Sequence, residues 1–199
     1  MVTLADVDDR TLTMRDRVVG AAVVLTSEVG WSQVTMAKLA DAVGVSRQTV
    51  YNEIGSKPQL AEAMILRELD RFLAIVDVAF DRNPTDLVAA LRAAAQRVLE
   101  HAQDNPLLHA VVSATHGADT ELLPLLTTHS ESLMGVAKVV VVDRIEPYQI
   151  GLDRKHLEAA IDAVVRLVLS HVMQPSGTPA DTAEDIAWIA EQVLRYREQ

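Results

Sequence analysis

The chain has 199 residues, nearly half of them apolar but only 4% aromatic, with no cysteine and a formal net charge of −10. The missing cysteine excludes disulfides, thiolate metal sites and cysteine nucleophiles, and a core built from Ala, Val and Leu favours an all-α fold over a β-sandwich. No apolar run reaches the ~18 residues of a membrane helix; the run Val139 to Val142 ends at Asp143 and Arg144, and Asp6, Asp8 and Asp9 make the leading segment too acidic for a secretory signal, so a soluble, cytoplasmic protein is expected.

Acidity is unevenly spread. Residues 1–57 hold six Lys/Arg against seven Asp/Glu, whereas residues 58–199 hold twelve against twenty-one. The C-terminal part would therefore repel a polyanion, and the N-terminal part would not.

Residues 1–12 form a polar, acidic tail without periodicity, expected to be disordered. Thr13 is placed to cap a first helix ending near Gly30, with Val18, Ala21, Ala22 and Leu25 on one face. Thr35 caps a short helix, Met36 to Val43, stopped by Gly44; Ser46 caps another, through Ile54, closed by Gly55. Ser56 then begins a long fourth helix with Pro58 in its first turn. Asn83-Pro84 is read as starting a helix to about His101, and Asn105-Pro106 as starting one that stops near Gly117. Helices from about Leu123 to Val142, Asp153 to Met173 and Asp181 to Arg197 complete the chain.

The informative stretch is TMAKLADAVGVSRQTVYNEI, Thr35 to Ile54. Ala40 is small enough for a second helix to cross close above it, and Gly44 adopts a backbone conformation costly to other residues. Leu39, Val43, Val45 and Val50 wedge the two helices together. Arg47, Gln48, Thr49, Tyr51 and Asn52 are left facing outward, the mixture of polar side chains a major-groove helix needs.

From Arg15 to Leu60 the sequence resembles the DNA-binding domain of the TetR/AcrR regulators: Gly30-Trp31, the cap Thr35, Gly44-Val45-Ser46, Tyr51 and Ser56-Lys57 all stand in register. The resemblance implies a helix-turn-helix domain over residues 13–58, with its motif at 35–54. It also implies a larger helical effector-binding and dimerisation domain over 59–199. By the same resemblance Arg47 and Gln48 contact base edges and Thr49 lies near bases or backbone. Tyr51 and Lys57 meet phosphate, Thr35 and Lys38 approach the backbone, and Ser46 and Asn52 complete the DNA-binding set. Glu53 and Ile54 stand where the pattern has histidine and phenylalanine; Ile54 keeps the hydrophobic plug, while the charge of Glu53 excludes it from the phosphate contacts.

The resemblance further implies a four-helix dimer bundle from the last two helices of each subunit, with Leu157, Ile161, Val164, Val168, Ile186, Ile189 and Val193 at the interface. The middle helices would enclose a largely apolar effector, lined by Phe72, Val76, Leu91, Val98, Val112, His116, Leu126, His129 and Met134. His109 and His116 lie seven apart, but no histidine pair has the i, i+4 spacing of helical zinc ligands. Thr127, Thr128, His129 and Ser130 lack a readable oxyanion hole or orienting acid. Neither metal, cofactor nor catalytic site is expected. The expected function is a ligand-responsive regulator that releases a pseudo-palindromic DNA operator. The alternatives are an architectural DNA-binding dimer without effector, and an all-helical enzyme.

Overall fold

The computed structural model describes residues 12–105, 107–109 and 130–195; these contain helices and no strand. Their regular elements are α1 (Met14–Val29), α2 (Met36–Val43), α3 (Arg47–Ile54), α4 (Lys57–Asp81), α5 (Leu87–Gln103), α6 (Ser130–Ile145), α7 (Arg154–Met173) and α8 (Pro179–Arg195), with single 3₁₀ turns at Trp31–Gln33 and Glu146–Tyr148. The described residues divide into two compact units: 12–67 together with 107–109, and 68–105 with 130–195.

In the first unit the expected caps are in place. Thr13 accepts from the Asp16 amide while Asp16 accepts from the Thr13 amide, a reciprocal capping box. Thr35 accepts from the Lys38 amide and Ser46 from the Thr49 amide. Gly44 is left-handed, with φ 74° and ψ 38°, and the amides of both Gly44 and Val45 donate to the Ala40 carbonyl. A side chain at Gly44 would strain this turn, because β-carbons disfavour positive φ. Val18, Ala22, Trp31, Leu39, Val50, Ile54, Leu60 and Met64 form the core, with Val43 and Val45 packed against it half-buried.

The second unit is built around α5 and α8, its most extensive helix pairing. Ala90, Ala94 and Ala95 on α5, and Ala183, Ala187 and Ala190 on α8, are all buried, and small residues let two backbones come close. Arg144 of α6 ties down the end of α4 through Asp77 and Asp81, both at 2.7 Å, and the Tyr148 hydroxyl donates to the Asn83 carbonyl at 2.7 Å.

Some helix boundaries differ from the sequence reading. Asn83 does not start α5: its side-chain amide donates to the Ala79 carbonyl and so finishes α4, while Asp86 accepts from the Ala89 amide as the true N-cap. The last helix begins at Pro179, earlier than Asp181, because Thr178 accepts from the Asp181 amide. The expected helix from Leu123 is described only from Ser130 and continues past Val142 to Ile145. The tail before residue 12, most of the segment from Pro106 to His129 and the last four residues lie outside the described residues.

Candidate nucleic-acid interface

The recognition surface is made by a short helix with two unlike sides. Val50 and Ile54, 0% and 3% exposed, lock α3 into the core of the first unit. At 100° per residue, positions 48 and 52 lie opposite that side, Tyr51 flanks it, and Arg47 stands beside it in the first turn; all four are exposed. The Gln48 amide donates to the Asn52 carbonyl oxygen at 2.8 Å, which holds two amide side chains extended along one face. Ser46 and Thr49 are linked through their hydroxyls at 2.9 Å, so Thr49 is half-buried against the cap.

Around this helix, Thr35 and Lys38 are exposed at the start of α2, with the Lys38 ammonium on the Gln33 carbonyl at 2.9 Å. Lys57 begins α4 and stands 4.9 Å from the centre of the buried Trp31 ring, a cation–π contact that fixes its stem. The Ser56 amide and hydroxyl both donate to Gln59, which caps the start of α4. The exposed polar side of α3, flanked by the cationic ends of α2 and α4, is the arrangement a major-groove reader requires.

The comparisons with known proteins bear on this unit and on the other. Residues 18–64 match the family model of bacterial regulatory proteins of the tetR family, and residues 86–192 match that of the bacterial tetracyclin repressor C-terminal domain. The chain belongs to the TetR family. The HTH-type transcriptional regulator AlkX of Mycobacterium tuberculosis is 30% identical over 174 residues, which span 87% of this chain and 82% of that protein. The crystal structure of the TetR family repressor AlkX from Dietzia sp. superposes with a TM-score of 0.73 at 26% identity, covering 90% of this chain and 96% of that one. The nucleoid occlusion factor SlmA of Glaesserella parasuis is 36% identical over 83 residues, 42% of this chain and 40% of that protein. This TetR-family chain is therefore a DNA-binding transcriptional regulator, and no described helix is long and apolar enough to cross a membrane.

Three arginines near the interface were not singled out by the sequence. Arg15 donates to the Glu53 carbonyl at 2.6 Å, Arg17 to the Val43 carbonyl at 3.2 Å, and Arg67 to the Asp16 carbonyl at 2.8 Å. The only available signal was the basic first turn of α1, and nothing in its spacing points to carbonyls 26 to 51 residues away.

In the second unit, Leu91 and Val98 are buried and Phe72, Val76 and Met134 half-buried, whereas Val112, His116, Leu126 and His129 lie outside the described residues. A cavity of about 70 Å³ is lined by Leu91 together with Leu87, Val141, Ile145, Ile150, Leu157 and Ile161, all aliphatic. Phe72, Val76, Val98 and Met134 do not line it. Its wall also includes Val164, Ile189 and Val193. Of the residues assigned to the dimer face, Ile161 and Ile186 are buried within their own subunit, Leu157, Val164 and Val168 are half-buried, and Ile189 and Val193 are exposed beside Trp188.

Two of the described histidines meet carboxylates. His101 meets the buried Glu68 at 2.6 Å and packs edge-on against Phe72, and His156 pairs with Asp153, the cap of α7.

Proposed function

We propose that the protein is a ligand-responsive repressor acting in the cytoplasm as a homodimer, with no catalytic role. Two copies of α3, one per subunit, enter successive major grooves of a pseudo-palindromic operator about one helical turn apart. Arg47 and Gln48 read base edges, with Thr49 beside them; Tyr51, Lys57, Thr35 and Lys38 hold phosphate, and Ser46 and Asn52 border the contact. The observation that carries this reading is the division of α3 into a buried side, Val50 and Ile54, and an exposed surface of polar side chains.

Helices α7 and α8 supply the subunit contact, and the second unit takes a largely apolar effector. Effector binding shifts α4, whose residues run through both units, and alters the separation of the two reading heads. A coupling of ~1–3 kcal/mol is enough for release. The all-aliphatic cavity supports an apolar effector, as does the similarity to the Dietzia AlkX repressor, implicated in biodegradation of n-alkanes.

A second reading is an architectural DNA-binding dimer without effector, favoured by the similarity to nucleoid occlusion factors. Thermal melting against n-alkanes, alkanols and fatty acids separates the two. A ligand that raises the melting temperature and weakens operator binding supports the repressor. If no member of the panel does either, the architectural reading stands.

A further inference from the structure

The carbonyls of Val43 and Glu53 belong to the last turns of α2 and α3, where backbone acceptors have no intrahelical donor and the helix dipole is negative. Arg17 occupies the first and Arg15 the second. Behind them Arg67 of α4 donates to Asp16, the residue between Arg15 and Arg17. Gly20 makes room for it: a β-carbon there would lie 3.2 Å from the Arg67 guanidinium. A continuous chain of bonds thus runs from α4 through the first turn of α1 to the end of the recognition helix.

We propose that Arg15, backed by Arg67, is a positioning residue for sequence readout: it sets the pitch of α3 and does not itself neutralise phosphate. The proposal rests on α3 being the reading element. With eight residues at about 1.5 Å each, α3 is about 12 Å long. Its cap Ser46 closes one end, and the other is held by the buried Ile54 together with Arg15. A displacement of about 1 Å at the Arg15 end turns so short a rod by roughly 5°, enough to misalign bidentate base contacts while looser phosphate contacts persist.

The test uses the full-length protein and a duplex enriched by the wild type from a random DNA library. Affinities for that duplex and for a scrambled one are measured across a salt series for wild type, Arg15→Gln, Arg15→Lys and Arg67→Gln, below each variant's melting temperature. Arg15→Gln is expected to lower the ratio of the two affinities by about tenfold, one base pair's worth of discrimination. Its scrambled-duplex affinity and salt slope stay at the wild-type values. Arg15→Lys restores most of the ratio, because an ammonium can still donate to the Glu53 carbonyl, and Arg67→Gln lowers the ratio in the same direction. A slope flatter by about 0.9 makes Arg15 a phosphate ligand and overturns the proposal. An unchanged ratio for Arg15→Gln overturns it equally. Failure of the wild type to enrich any duplex is a separate result, which strikes the DNA-reading assignment itself.

Discussion

At the scale of single residues, a side chain's role follows from what already occupies its polar atoms. Arg47 is exposed at the start of α3 and, if it reads a base edge, Arg47→Ala should weaken operator binding by ~1–3 kcal/mol and relax preference at one position. Titration against single-base operator variants checks this. Lys57→Ala should weaken all duplexes alike and flatten the salt slope by about 0.9. Glu68 has a purely internal role. It is 4% exposed and accepts from Asn105 at 2.5 Å, from His101 at 2.6 Å and from Arg71 at 3.1 Å. Glu68→Ala removes the acceptor those three donors share and should destabilise the fold by about 2–3 kcal/mol, read from urea unfolding.

At the scale of elements, helix ends decide both stability and legibility. The side-chain and backbone hydrogen bonds of Thr13 hold the Asp16 carboxyl below its usual 3.8. A carboxyl lowered in the folded state contributes stability that is fully present above the unfolded value and lost as pH falls through the folded one. Thr13→Ala should cost about 1 kcal/mol at neutral pH, and its melting temperature should converge only part of the way on the wild type's as the Asp16 carboxyl is protonated in acid, because the bond from the Asp16 amide to the Thr13 hydroxyl does not depend on that charge. Melting both proteins between pH 7 and 2 checks the convergence. The caps Thr13, Thr35 and Ser46 and the stop Gly44 were legible because each acts within three or four residues. Asn83 misled for the same reason: an Asn-Pro pair resembles a helix start, and only the fold shows its amide turned back to Ala79. The clamps of Arg15 and Arg67 were illegible because their carbonyl partners, on Glu53 and Asp16, leave no trace in side-chain spacing. The recognition face was legible because buried Val50 and Ile54 force its orientation.

At the scale of the whole molecule, a two-fold operator requires two copies of the chain. Trp188, Ile189 and Val193 on α8 are 62%, 38% and 37% exposed, an apolar face that a partner subunit would cover. Ile189→Arg should shift micromolar protein from dimer to monomer in sedimentation equilibrium. Operator affinity should fall with it, since one reading head then binds without the benefit of the other. The most direct measurement is selection of duplexes from a random library by the wild-type protein, followed by sequencing. The expected result is enrichment of two inverted half-sites centred about 10–10.5 base pairs apart, or a multiple of that spacing, with preference lost at one position of each half-site on Arg47→Ala. A pool that remains random after selection at low salt, or one unaffected by Arg47→Ala, would contradict it.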